Sequence, residues 1–176
     1  DPIPGPRFNH GLRGMKYEVY EGGVRVPLVV SWPGRFAPRH TNATVNFVDF
    51  YPTLAELTGV PVLAGAGPLD GISFVATLKG DDRVRLAPVF WQWNRAQPNY
   101  THNAALREGP WKLVLPYVTR AENPADSNEK PVLYYLPTDP AESIDLASMH
   151  PERAAQMEAR LRAWARDVER ERVDRK

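Results

Sequence analysis

The sequence predicts an α/β chain in two parts. The first part combines loops, one apolar strand and short helices. The second is an α+β unit in which an antiparallel sheet carries a terminal helix. Three observations predict this. A nearly continuous β-branched run, VRVPLVVSW at residues 24–32, marks a strand buried on both faces. Short apolar runs separated by turn residues fill positions 87–136. From Pro151 onward, apolar residues recur with a helical period.

Taken in order, residues 1–23 are rich in Pro and Gly and read as loop. The run at 24–32 follows, with regular pairing expected only after Pro27, which cannot donate to a ladder. NFVDFYPTLAELTG at 46–59 reads as a helix with Asp49 as its N-cap, Pro52 in its first turn and Gly59 as its stop. Tyr51, Leu54 and Leu57 share one side of that helix. LDGISFVATLKG at 69–80 reads as a short helix after Asp70-Gly71. APVFWQW at 87–93 is a strand, NAALREGPWKLVLP at 103–116 a hairpin turning at Glu108-Gly109, and VLYYL at 132–136 a further strand. ENPADSNEKP is a polar excursion and PTDPAES a turn cluster. In the last element Met157, Leu161, Trp164 and Val168 fall at i, i+4, i+7 and i+11 on one helical face, Pro151 suits the first position, and fraying is expected after Val168. The division expected is 1–80 and 81–176. One strand buried on both faces needs neighbours that this sequence does not contain, so it is expected to seek a partner, by self-association or on another chain.

Composition narrows the function. A net charge of +1 over 176 residues gives no field that would draw nucleic acid or an anionic membrane. No apolar run reaches the length of a membrane span. The absence of cysteine removes disulfides, thiolate metal sites and a cysteine nucleophile.

Lys16 lies in the glycine-bounded stretch LRGMKYEVYEGG. A lysine ammonium is a compact point charge with three donors. Glycines nearby let backbone approach a ligand closely. Two readings stand: a contact for a sulfate, phosphate or carboxylate, and a surface lysine beside a turn. The spacing of a phosphate-cradling P-loop is missing. Glu21 and Arg25, four apart around a double glycine, can support each other and fix the loop. The segment VFWQWNRAQPNYTHNAALR offers Asn94, Arg95 and His102 as rim donors. Trp91, Trp93, Trp111 and Trp164 read mainly as core.

LRGMKYEVYEGGVRVPLVVSWPG at 12–34 resembles the sulfatase-family stretch L-R-G-x-K-x-x-x-Y-E-G-G-x-R-V-P followed by an apolar strand and W-P-G. VDFYPTLAELTGVP, LDGISFVATLKG, REGPWKLVLP and LYYLPTDPAESIDLA agree with later landmarks in family order. The resemblance spans about Phe8 to Val168. It implies an alkaline-phosphatase-like sulfatase fold, here truncated: the end of the large mixed-sheet domain over 1–80, and a C-terminal antiparallel subdomain over 81–176. It implies sulfate-ester hydrolysis, of aryl or carbohydrate sulfates, in the full protein. The expected cofactors there are a formylglycine nucleophile and Ca²⁺ or another divalent cation, with none in this chain. Lys16 matches the family's sulfate-contacting lysine. His10 and Tyr17 join Asn94, Arg95 and His102 as candidates for the substrate rim, and Glu21 and Arg25 support the loop.

SWPGR at 31–35 satisfies the family's S-x-P-x-R nucleophile pattern literally, but that motif opens a helix, whereas Ser31 ends a predicted strand. Met15 and Tyr17 stand where relatives often have glycine. Tyr17 enters positive φ only at a cost, so a different loop shape, or a Tyr17 turned to the substrate, is expected. Asp145 takes the place of the usual Asn in a turn far from catalysis. The chain by itself is expected to be inactive, its partner being the remaining catalytic part. A stand-alone glycan- or partner-binding module, and a phosphate or phosphonate esterase of the same superfamily, are the alternatives. Compartment is open, with a periplasmic or secreted location implied only by the family.

Overall fold

A computed structural model describes residues 8–62, 68–81, 85–93, 103–116 and 130–174. The elements are α1 (Glu21–Val24), a 3-10 turn (Phe47–Asp49), α2 (Phe50–Thr58), α3 (Val75–Leu78), β1 (Val89–Gln92), β2 (Ala104–Glu108), β3 (Trp111–Leu115), β4 (Val132–Tyr135) and α4 (Pro151–Asp174). The chain gathers into two compact units. Described residues up to Val26 group with those from Pro88 onward, and Pro27–Ala87 form the other. The N-terminal loop therefore keeps company with the C-terminal sheet, a grouping different from the division at residue 80.

In the larger unit the four strands lie in the order β1-β2-β3-β4, every pair antiparallel. The β2–β3 hairpin turns through Gly109-Pro110, with Glu108 opposite Trp111 and Gly109 at φ 55. Side chains alternate across the sheet, and both faces are covered. One face sends Phe90, Ala104, Leu106, Leu113, Leu115 and Leu133 against Met157 and Leu161 of α4. The other sends Trp91, Ala105, Val114 and Tyr134 against Val19 and Tyr20 of the N-terminal loop. Each fully buried Leu or Met contributes about 1.5–3 kcal/mol, so the helical stripe alone anchors α4. Phe90 and Trp164 stack at 4.9 Å with an interplanar angle of 6°. The helix continues to Asp174 rather than fraying after Val168. The pairs Arg162–Glu158, Arg170–Asp167 and Arg172–Glu169 brace its later turns.

The smaller unit is built on Asp49. Asp49 stands at the predicted N-cap position of α2 but makes no side-chain cap bond there; Asn46 caps the 3-10 turn before it, its side chain accepting from the Val48 N–H while Asp49 accepts from the Asn46 N–H at 2.7 Å. Buried Asp49 also accepts from the Ile72 N–H at 2.9 Å and from Arg85 at 2.5 Å. Gly71 is required there, because a Cβ would sit 1.9 Å from the Val48 carbonyl oxygen. Gly59, at φ 71, ends α2 as expected. The short helix expected over 69–80 is confined to Val75–Leu78.

The run at 24–32 is not a strand. Val24 closes α1, the remainder is irregular, and Leu28, Val29, Val30 and Trp32 are exposed, Val29 by 87%. Continuous apolarity signals burial between neighbouring strands, and a single segment without them has no ladder to join. No helix among the described residues is long and apolar enough to cross a membrane.

Candidate functional site

Lys16 and Tyr17 occupy the middle of a turn over residues 15–18, closed by Glu18 N–H donating to the Met15 carbonyl at 2.9 Å. The Glu18 carboxylate accepts in return from the Met15 N–H at 2.8 Å. Tyr17 does take positive φ, at 86°. It therefore adopts the backbone that such a turn reserves for glycine in its third position. A bulky residue held there stores on the order of 1–3 kcal/mol, so surrounding contacts must over-determine it. They do. The Asn103 amide donates to the Tyr17 carbonyl at 2.6 Å and to the Trp93 carbonyl at 3.0 Å. The Tyr17 ring packs on Trp93 with centroids 4.7 Å apart. Asn103 is only 3% exposed, and its Oδ1 lacks a hydrogen-bond partner. Lys16 stands exposed at the apex, its ammonium 5.1 Å from the Tyr17 ring centroid.

The loop carrying this turn is closed on itself. Gly22 N–H donates to the Arg13 carbonyl at 2.7 Å. A Cβ on Gly22 would lie 2.6 Å from both the Arg13 and Gly14 oxygens, and one on Gly23 would lie 2.0 Å from the Glu18 oxygen. The double glycine thus serves close approach of backbone to backbone. Arg13 stacks over Tyr20 at 4.1 Å, and its guanidinium donates to the Tyr134 hydroxyl at 2.9 Å and to the Glu142 carbonyl at 3.1 Å. Burial pushes the Tyr20 and Tyr134 phenols above their ordinary range, against the opposing pull of Arg13.

Beneath the loop lies a buried charge cluster. The Lys112 ammonium, 0% exposed, donates to Glu21 at 2.8 Å and stands 2.9 Å from Glu142 Oε1. The latter contact is an ion pair without hydrogen-bond alignment, which leaves Glu142 Oε1 otherwise unpartnered. Glu142 Oε2 accepts from the Glu21 N–H at 2.6 Å. Burial raises the Glu142 carboxyl, and Lys112 pulls it back down. Arg107 is opposite Lys112 across the β2–β3 pair. Burial lowers the Arg107 guanidinium, Glu21 raises it, and Arg25 lowers it further.

The predicted residues are therefore distributed as follows. Lys16 and Tyr17 come together at one turn. The Glu21 carboxylate pairs with Lys112, and no pair between Glu21 and Arg25, which is exposed, is found among the described residues. The Arg25 N–H donates to the Glu21 carbonyl at 2.9 Å. His10 sits exposed at φ 55 in a turn, edge-on to Phe8, with no described contact to Lys16. Asn94, Arg95 and His102 lie outside the described residues. Ser31 precedes a turn closed by Arg35 and Phe36 N–H groups on the Trp32 carbonyl, not a helix. Asp145 is structural, accepting from the Leu133 and Ala147 N–H groups at 3.0 and 2.9 Å. Sequence reasoning missed Arg13, Asn103, Lys112 and Glu142. Only Lys112 left a local signal: a charge between apolar Trp111 and Leu113 within WKLVL.

Among the described residues no group of three or more His, Cys, Asp or Glu side chains is placed to hold a metal ion. The two buried carboxylates are already closed by Lys112. These residues do not fit a divalent cation.

Residues 4–60 match the family model described as Sulfatase. An N-acetylgalactosamine-6-O-sulfatase of Bacteroides thetaiotaomicron is 32% identical over 80% of this chain and 27% of its own length. A choline-sulfatase of Rhizobium meliloti is 35% identical over 78% of this chain and 24% of its own. Human arylsulfatase A is 30% identical over 77% and 28% respectively. Among solved structures, a Bacteroides thetaiotaomicron sulfatase from a glycosaminoglycan-metabolism locus superposes with a TM-score of 0.71 at 29% identity, covering 88% of this chain and 32% of that one. The chain thus spans about three-tenths of the length of the relatives it matches. Over that span it belongs to the sulfatase family and carries part of the alkaline-phosphatase-like sulfatase fold.

Proposed function

We propose that this chain is a portion of a sulfate-ester hydrolase and contributes Lys16 as a contact for the sulfate group. The observation that carries this is the turn itself. One exposed ammonium is displayed at the apex of a strained loop, and buried Asn103, Lys112, Tyr134 and Glu142 hold that loop. A surface lysine of no consequence needs no such support, whereas an anion contact gains from being fixed before the ligand arrives. The sulfatase names of the relatives support sulfate as the anion.

Lys16 can donate to sulfate oxygens and balance charge that builds on the departing group. Beside it, the Tyr17–Trp93 pair offers an aromatic surface for the organic part of an aryl or sugar ester. The formylglycine and divalent cation implied by the family would supply the nucleophile and its activation. The described residues hold neither, and the chain alone is proposed to be inactive. The exposed apolar residues Leu28, Val29, Val30 and Trp32 fit a segment that packs against further parts of a sulfatase domain.

The test is turnover of a chromogenic aryl sulfate. The purified chain is expected to show none. In a longer polypeptide containing it, Lys16→Ala should lower kcat/KM about 10²–10³-fold. Metal-dependent turnover by the chain alone, lost in Ser31→Ala, would overturn the proposal. Saturable glycan binding lost in Trp93→Ala but kept in Lys16→Ala would favour a binding module instead.

A further inference from the structure

We propose that Glu142 is a positioning residue for Lys16, holding both ends of the lysine's loop from one point. The inference rests on the reading of Lys16 as the sulfate contact. The loop begins at Arg13, whose guanidinium donates to the Glu142 carbonyl oxygen at 3.1 Å. It ends at Glu21, whose N–H donates to the Glu142 carboxylate at 2.6 Å. A main-chain and a side-chain acceptor of a single residue therefore secure the two ends, while the Gly22-to-Arg13 bond of 2.7 Å draws them together.

Glu142 meets both only because its backbone is left-handed, at φ 54. The preceding turn imposes this conformation. Glu142 N–H donates to the Asp139 carbonyl at 3.2 Å, and the Asp139 carboxylate accepts from the Ser143 and Ile144 N–H groups. Strain of this kind persists where surrounding contacts fix it. The carboxylate is completely buried and lies 2.9 Å from the Lys112 ammonium, which also binds Glu21. Lys112 thereby supplies the countercharge that lets an acceptor for the loop be ionised inside the protein. Glu142 is 121 residues from Glu21 in sequence, so the loop's geometry depends on the C-terminal turn.

The experiment uses a longer sulfatase polypeptide containing this chain, a chromogenic aryl sulfate, and amide hydrogen exchange. Glu142→Gly suits the left-handed backbone and removes the whole side chain, carboxylate included, while keeping the carbonyl that Arg13 meets. Glu142→Gln keeps an acceptor for the Glu21 N–H and guards against loss of fold. Glu142→Gly is expected to lower kcat/KM about 10–100-fold, as expected for a displaced contact. The Glu21 and Gly22 amides should exchange faster, and Glu142→Gln should fall between. Combined with Lys16→Ala, it should cost little more than Lys16→Ala alone. Multiplicative losses in the double variant, or unchanged exchange at Glu21 and Gly22, would overturn the proposal. If Lys16→Ala leaves turnover intact, the sulfate reading of Lys16 fails, the positioning role fails with it, and the exchange data report only whether Glu142 clamps the loop.

Discussion

Replacing Lys112 by Met should be among the most damaging single changes in the larger unit. The ammonium stands 2.8 Å from one buried carboxylate oxygen and 2.9 Å from another. At an effective dielectric constant of about 20, each contact is worth roughly 6 kcal/mol before desolvation is charged against it. Burial of each ion takes back several kcal/mol, so the intact cluster adds little net stability. Its removal is asymmetric. Methionine fills the volume but leaves Glu21 and Glu142 without the ammonium that pairs with both, and breaking a buried pair in this way costs about 3–5 kcal/mol. For a chain of this size that corresponds to a fall in Tm of about 6–20 °C. The loss should depend on pH. Burial already raises the Glu142 carboxyl, and loss of Lys112 removes its principal opposing influence. A carboxyl whose folded pKa is raised adds stability below its ordinary value of 4.5, and that stability is lost as pH rises through the raised one. The deficit of Lys112→Met should therefore be small in acid and widen as pH rises through the carboxyl range. Urea denaturation of both proteins across that range measures it. A loss below about 1 kcal/mol, the size found for exposed pairs, or a deficit that does not change with pH, would refute the reasoning.

Two further outcomes follow from the same loop. Gly22→Ala should cost about 1–3 kcal/mol, because its Cβ would press on two carbonyl oxygens at 2.6 Å. Gly109→Ala meets open space at φ 55 and should cost about 1 kcal/mol, so equal losses in thermal melts would count against the steric account. The buried Tyr20 and Tyr134 phenols are raised above their ordinary value of 10.0. Their contribution is complete below that value and is lost as pH rises through the raised ones. In an alkaline titration followed by phenolate absorbance and circular dichroism, both should ionise only as the fold is lost. Ionisation of every tyrosine near pH 10 with the fold intact would contradict this.

What could be read from the sequence was what local pattern controls. The helical stripe of Met157, Leu161 and Trp164 and the alternating hairpin around Gly109 are set by residues close in the chain, and both are found. The run at 24–32 misled because apolar continuity reports a need for burial without supplying the strands that satisfy it. The helix at Glu21–Val24 was illegible, since two of its four residues are glycines, poor helix formers kept there for close backbone approach. Tyr17 was expected to avoid positive φ, and the reason it does not, Asn103, lies 86 residues away. The charge cluster was hidden for the same reason. Glu21 is 91 residues from Lys112 and 121 from Glu142. Yet each of the three stands inside a stretch that carried the family resemblance: Glu21 in YEGG, Lys112 in PWKL, Glu142 in DPAES. Read singly, these are a glycine turn, a strand and a polar turn. In the folded unit one buried ammonium joins them. Glu142 without Lys112 would be a buried unpaired charge, and Glu21 without Glu142 would lose the acceptor for its N–H. The three stretches therefore have a physical reason to occur together, and what they jointly hold in place is the turn that displays Lys16.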